Sequence, residues 1–331
     1  MYDNSDNHQE RVYIHIGVAK AASTTLQKQL FDQHPAINYL GTYPTANLGN
    51  DSDFINHKSK YLTDPNLKKF HSNIVMLDEF EYHFSDNIEF FYNNIKPYLS
   101  KDHINLFSNE RFLAGFRCCT DIKAKATRIK QLFPNAKIII IIRNQLDIIV
   151  SQYRDLPFDP RCVSLGKPVN IDQWIEIAME NDYTNYFNCL KYYEVAKVYK
   201  EIFGIDAVEV FLFEDLVHQL DLFAEKLSDF IGIDSTQTKV LLQNKHENRP
   251  VSNRFNRYRM LRRKLPQIKL RNYMPDYIHE QVIKFMKKGK KRNYHISKTM
   301  NQSLTNYFGE SNAQLQDNFS IELERYQYPM K

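Results

Sequence analysis

The chain has 331 residues, 43% hydrophobic and 25% charged, with 44 Lys and Arg against 39 Asp and Glu for a formal net charge of +5. That balance excludes disordered, collagen-like and coiled-coil classes and leaves one large globular domain or two small ones. The longest purely apolar run, Ile138 to Ile142, is far shorter than the roughly 20 residues needed to cross a bilayer, and Met1 to Glu10 is polar and acidic, so the expectation is a cytoplasmic protein with no membrane span and no signal peptide. Cys118, Cys119, Cys162 and Cys189 show neither metal-ligand spacing nor the density of a disulfide framework, as expected of reduced thiols.

In chain order, residues 1–10 read as a flexible tail and 11–331 as one domain. Val12 to Gly17 alternates apolar and polar and is rich in branched residues, which predicts a strand. A helix follows: Thr24 and Gln27 have capping-box spacing, Leu26, Leu30 and Phe31 give one apolar face, and His34-Pro35 ends the segment. Residues Thr42 to Ser72 form a long polar stretch of the kind that is mobile or functional inside a compact domain. Strand and helix then alternate: a strand at Ile74 to Leu77, a helix from about Ser85 to Leu99, a strand at His103 to Phe107 and a helix near Asp121 to Phe133. Lys137 to Ile142 is nearly all isoleucine and predicts a strand covered on both faces. A helical stretch from Ile171 to Phe203 leads to a last strand, Val208 to Phe213. This alternation predicts an α/β class with a central parallel sheet and helices on both faces. Between Arg249 and Arg292 stand 15 Lys or Arg against only Asp276 and Glu280, so a basic segment is joined to an acidic remainder.

Chemistry enters at two strand ends. Gly17 to Leu26 lies where the first strand turns into the first helix, the edge at which open α/β sheets bind ligands. The start of a helix offers unpaired N–H groups and the positive end of its dipole to an anion. Ala21, Ala22 and Ser23 are small enough for close approach, Lys20 adds a full charge, and Ser23, Thr24 and Thr25 add hydroxyl donors. A Walker A loop is excluded, because Lys20 comes three residues after Gly17 and no second glycine precedes it. Arg143 directly follows the isoleucine strand, and Ser151 comes eight residues later on the next helix, so a guanidinium fork and a hydroxyl can meet on one phosphate.

These residues carry a resemblance. The first segment resembles the 5′-phosphosulfate-binding loop of sulfotransferases that use 3′-phosphoadenosine 5′-phosphosulfate (PAPS): Lys20, Ser23 and Thr24 match, while Ala21 and Ala22 replace a hydroxyl residue and a glycine. The second is similar to that family's 3′-phosphate motif through Arg143, Ser151 and Tyr153, with Gln145 in place of a common proline. Phe213 to Leu216, with Glu214 and Asp215 as turn and capping residues, then Lys226-Leu227 and Phe230 to Ile233, resembles the strand, turn and helix that follow in the family. Phe285 to Gly289 is similar to a loop closing on the 3′-phosphate, which would add Lys288 and Gly289 to the donor site; a chance match within a basic tract explains it equally well. Asn312, Leu315 and Tyr326 to Pro329 resemble the carboxyl ends of bacterial glycan sulfotransferases.

The resemblance implies a P-loop-nucleotide-kinase-like sulfotransferase fold and sulfuryl transfer from PAPS, without a metal, to a hydroxyl or amine of a carbohydrate. An anionic polysaccharide would suit the basic segment, which otherwise binds the donor or is simply a solvated helical face. Lys20 would neutralise charge on the leaving phosphate. Two residues are candidates for the general base: Glu110, just beyond the strand His103 to Phe107, and His57 in the long polar loop; a salt-bridged Glu110 and an exposed loop His57 are the alternatives. The competing classes are a nucleotide-dependent kinase of similar architecture and a noncatalytic basic polyanion-binding protein. No nucleic-acid motif accompanies the charge, and no nucleic-acid partner is expected.

Overall fold

Five short runs of branched and aromatic residues pair into a single parallel sheet of order β2-β3-β1-β4-β5. They are β1 (Val12–His15), β2 (Ile37–Tyr39), β3 (Ile104–Ser108), β4 (Lys137–Ile142) and β5 (Val208–Leu212). The computed structural model describes residues 10–18, 20–42, 63–113, 121–155, 170–180, 187–243, 252, 254–255, 258, 273–289 and 293–331. Ile138 to Ile142 are all buried, so β4 is covered on both faces, as its run of isoleucines predicts.

Connectivity places the helices. The chain leaves β1 toward one edge of the sheet to reach β2, whereas it moves from β3 to β4 and from β4 to β5 in the opposite direction. Right-handed crossovers therefore put the β1–β2 helix on one face and the later crossover helices on the other. The first of these is α1, which opens as one α-helical turn (Ser23–Thr25) and widens into a π-helix (Leu26–Phe31). On the other face, α2 (Pro65–Met76), α3 (Phe84–Asn94) and α4 (Ile122–Leu132) pack together. The chain continues through α5 (Gln145–Asp155), α6 (Ile171–Glu180) and α7 (Tyr192–Phe203), and α7 lies on β4 and β5 beside α4. Beyond β5 come α8 (Phe213–His218), α9 (Leu220–Ile231) and α10 (Ser235–Leu242), and α10 packs against α1. Last are α11 (Asp276–Lys287) in the basic segment and the long α12 (Lys298–Phe319), which packs on α7. Among the described residues no helix is long and apolar enough to cross a membrane.

Two local expectations are corrected, and one strand was missed. Ile74 to Leu77 is not a strand but the end of α2: Asp64 caps that helix by accepting from the N–H groups of Asn66 and Leu67, Pro65 occupies its first turn, and Leu67, Phe70, His71 and Ile74 bury one face at helical spacing. The apolar tetrapeptide could not reveal this, because the cap and the polar face lie upstream. The helix expected to run to Leu99 stops at Asn94, where Pro97 imposes a separate 3₁₀ turn, Lys96–Tyr98. β2, only three residues long, went unpredicted for want of a pattern. The expected tail ends on Glu10, whose carboxylate pairs with Lys96 at 3.1 Å; residues 1–9 lie outside the described part.

The carboxyl-terminal residues are fastened to the centre of the molecule. Gln145 and Asn312 exchange side-chain hydrogen bonds of 2.7 and 3.2 Å, Gln145 also donates to the Leu190 carbonyl (3.1 Å), and Asn312 donates to the Pro329 carbonyl (2.7 Å). Both amides are essentially fully buried, so removing one leaves the other unsatisfied. Replacing Asn312→Ala is expected to cost roughly 1–3 kcal/mol of stability, measured by denaturant unfolding, and Gln145→Ala about the same. The double variant should cost less than the sum of the two.

Candidate active site

β1 and β4 are neighbours whose onward connections leave in opposite directions, which opens a crevice beyond their carboxyl ends. Past the end of β1 the pairing continues, with Ile16 N–H on the Ile139 carbonyl at 2.9 Å and Val18 N–H on the Ile141 carbonyl at 3.4 Å. The chain then turns sharply: Ala21 N–H returns to the Val18 carbonyl at 3.1 Å, and Lys20 and Ala22 both take left-handed backbone, at φ 74° and 64°. Where the loop it resembles has a glycine, this chain thus has an alanine at a position that needs the glycine conformation. Gly17 is required for a different reason: a Cβ there would collide with Ser23 Oγ and lie 2.8 Å from Cε1 of His15.

The predicted capping box does not form. Ala22, not Thr24, is the N-cap residue and caps with no side chain, while Gln27 turns into the interior to donate to Ser108 Oγ at 2.8 Å. A polar side chain at the third position after Thr24 reads as a cap from spacing alone. The left-handed Ala22 starts the helix two residues earlier, placing Gln27 on its buried side. Ser23 and Thr24 consequently stand in the first turn, where N–H groups face outward from the helix end.

Arg143 is brought directly onto this loop. Its Nη1 donates to the Lys20 carbonyl at 3.1 Å, Nη2 reaches Asp147 at 3.4 Å, and the guanidinium lies over the Phe213 ring at 4.5 Å. Its own carbonyl accepts from the Tyr192 hydroxyl at 2.6 Å. The adjoining Asn144 N–H donates to Glu214 at 2.9 Å, and Asn144 Nδ2 donates to the carbonyls of Tyr326 and Gln327 at 3.0 and 2.8 Å. Glu214 thus does more than the turn and capping duty expected of it: its buried carboxylate also takes the Tyr328 hydroxyl at 2.8 Å. Burial pushes the Glu214 carboxyl above the usual carboxylate range despite these donors. Asp215 accepts from the Tyr326 hydroxyl at 2.7 Å. Ser151 is half-buried on α5, two turns beyond Arg143.

Glu110 stands on the other side of β1. It opens a 3₁₀ turn, Glu110–Phe112, directly after β3, and Asn109 caps that turn through the Arg111 N–H at 2.9 Å. Burial raises the Glu110 carboxyl above its ordinary range; the Ser23 hydroxyl, nearby but short of a well-aligned hydrogen bond, and the charges of Lys20 and Arg111 pull it back. Lys20, Ser23, Glu110 and Arg143 therefore form one cluster drawn from the ends of the three central strands. The buried Ser23 Oγ and Arg143 Nε make no hydrogen bond within it, a donor set suited to an anion. Of the other predicted residues, Ala21 and Thr25 are buried in the loop and first turn. Lys288 and Gly289 follow α11 on the surface, where a Cβ on Gly289 would lie 3.0 Å from Arg254. His57 lies outside the described residues.

Beneath the cluster is a group that spacing did not announce. His15, Ser108 and Gln27 are buried and bonded to one another under the loop. A histidine inside an apolar strand carries no signal that separates a core role from a site role.

A sequence pattern described as "Sulfotransferase family" matches residues 14–237. Among curated proteins none matches. Among solved structures the chain is similar to a sulfotransferase from Alicyclobacillus acidocaldarius, at 16% identity and TM-score 0.51, covering 96% of this chain and 99% of that one. Lower similarity links it to the sulfotransferase domain of the Synechococcus PCC 7002 olefin synthase, at 13% identity and TM-score 0.37 over 74% of this chain and 82% of that one. The same holds for the sulfotransferase domain of the curacin biosynthetic pathway, at 14% and 0.41 over 71% and 79%.

Two outcomes follow from the geometry of the loop and its support. Ala22→Gly should raise stability by up to about 1 kcal/mol in denaturant unfolding, because left-handed backbone costs alanine roughly 1–2 kcal/mol and glycine's extra freedom when unfolded returns part of that gain. Burial pushes His15 down to about 3 and His71 to about 4, from an ordinary value of 6.5. The unfolded chain takes up protons that the folded histidines refuse, so their contribution is complete above pH 6.5 and is lost as pH falls toward 4 and 3. Unfolding at pH 5 should show a deficit of about 2 kcal/mol per histidine relative to pH 7.5, and His15→Asn should remove its share of that slope.

Proposed function

Because the chain belongs to the sulfotransferase family, we propose that it transfers a sulfuryl group from PAPS to a hydroxyl of a carbohydrate, with an acidic polysaccharide as the acceptor class. The observation that carries this reading is the 3.1 Å bond from Arg143 to the Lys20 carbonyl, which joins the two phosphate motifs of the sequence into one crevice. PAPS supplies an activated sulfuryl group on a phosphate leaving group. The residues of this chain supply position and charge.

In this reading the first-turn N–H groups and the hydroxyls of Ser23 and Thr24 hold the 5′-phosphate, and Arg143 with Ser151 holds the 3′-phosphate. Lys20 offsets the negative charge that grows on the leaving oxygen as the S–O bond to phosphate breaks. Glu110 takes the proton of the acceptor hydroxyl as the new S–O bond forms, leaving a sulfate ester and adenosine 3′,5′-bisphosphate. Its raised carboxyl makes it a stronger base than an exposed glutamate. The acceptor assignment is supported by the basic segment: Tyr273, Tyr277 and Phe285 are exposed in and beside α11, and Arg254 stacks over Phe285 at 4.7 Å, a surface of rings and cations suited to sugar faces and acidic groups.

Titration calorimetry with adenosine 3′,5′-bisphosphate and with Mg-ATP tests the donor. The bisphosphate should bind and ATP should not, and Lys20→Ala and Arg143→Ala should each weaken bisphosphate binding about 10- to 100-fold. Tight magnesium-dependent ATP binding would overturn the reading in favour of a kinase. With an acceptor found by screening polysaccharides against labelled PAPS, Glu110→Gln should lower kcat about 100-fold while leaving bisphosphate affinity unchanged. The wild-type rate should fall as pH drops, since the base must be ionised, with its midpoint above the ordinary carboxylate value of 4.5.

A further inference from the structure

His15 is completely buried at the carboxyl end of β1, in register with Ser108 of β3. Its Nδ1 lies 2.7 Å from Ser108 Oγ, and the same oxygen accepts from Gln27 Nε2 at 2.8 Å. An amide nitrogen only donates, so the arrangement that satisfies all three side chains has Ser108 accepting from Gln27 and sending its own proton to Nδ1. The ring proton of a neutral His15 then sits on Nε2. That nitrogen is buried and has no hydrogen-bond partner. Ser23 Oγ makes no well-aligned hydrogen bond either, although the Glu110 carboxylate lies nearby, and both atoms close on the same point: a Cβ on Gly17 would lie 3.0 Å from Nε2 and collide with Ser23 Oγ. Gly17 keeps that gap open. The backbone links the pair to the rest of the site, because the His15 carbonyl accepts the N–H of Asn109, next to Glu110, at 3.2 Å.

We propose that His15 is a positioning residue whose Nε2–H is aimed across the gap left by Gly17 at the oxygen of Ser23, so that the Ser23 hydroxyl has only its own proton left to give and gives it to an anionic oxygen, that of the neighbouring Glu110 carboxylate or of an anion in the loop. Gln27, Ser108, His15 and Ser23 then form one chain of donors running in a single direction, each polarising the next. Its output is a serine that favours an anion over any ligand needing an acceptor. The identity of that anion as a nucleotide phosphate rests on the function proposed above; the direction of the chain does not.

Nitrogen NMR of the full chain labelled at histidine reads the tautomer directly. A neutral His15 protonated at Nε2 is the expected result, with Ser108→Ala releasing the ring toward a mixture; protonation at Nδ1 in the wild type would overturn the proposal, whether or not any nucleotide binds. Affinity for adenosine 3′,5′-bisphosphate provides the second readout. His15→Asn, which keeps an amide beside Ser108 and loses the group at the Nε2 position, should weaken binding about 10-fold, and His15→Gln, which restores a donor there, should recover it to within about threefold. In a Ser23→Ala background His15→Asn should have no further effect; a full additional 10-fold loss would mean that His15 acts elsewhere and sink the idea. Failure of the wild type to bind the bisphosphate would refute the donor assignment alone, since the tautomer still decides the direction of the chain.

Discussion

A single hydrogen bond, from the Arg143 guanidinium to the carbonyl of Lys20, joins two loops that are 123 residues apart in sequence. It exists because β1 and β4 lie side by side and hand their chains off in opposite directions, leaving no crossover above their ends. The carbonyl of Lys20 is presented to Arg143 by a backbone that has already turned left-handed, and the guanidinium is held from behind by the face of Phe213. Neither loop has this shape on its own account. The pairing of β1 with β4 fixes where each begins, and the bond fixes how they meet.

The strain in the first loop belongs to the same arrangement. Lys20 and Ala22 occupy a backbone region that disfavours residues with a side chain, and such conformations persist only where their surroundings over-determine them. Here the surroundings are the extended β1–β4 pairing on one side and the buried His15–Ser108–Gln27 group on the other. The widened helix after the loop belongs to this bracing too: the π turn at Leu26–Phe31 sits where Gln27 turns inward to Ser108.

What the sequence disclosed, and what it hid, follows from which interactions are local. β4 was legible because five consecutive isoleucines have only one economical use, and the meeting of the two strand-end segments was legible because each directly follows a strand of one parallel sheet. Glu110 could be put at the right edge from its place two residues past the end of β3. The roles of Gln27, Gln145 and Glu214 were not legible, since each is decided by a partner far away in the chain: Ser108, Asn312 and Tyr328. Spacing suggested caps and turns for Gln27 and Glu214, and the tertiary structure gave them buried work instead. Gln145 explains its own departure from the family's proline, because a proline has no amide to offer Asn312 and Leu190.

The fastening of residues 326–329 to the Asn144 loop bears on the order in which the molecule becomes competent. Asn144 is held by the carbonyls of Tyr326 and Gln327, Glu214 by the hydroxyl of Tyr328, and Asn312 by the carbonyl of Pro329. On the ribosome these partners emerge nearly 200 residues after Arg143 does. A nascent chain can complete its sheet while the loop bearing that arginine still lacks its outer brace, so the crevice at the ends of β1 and β4 is one of the last features completed during translation.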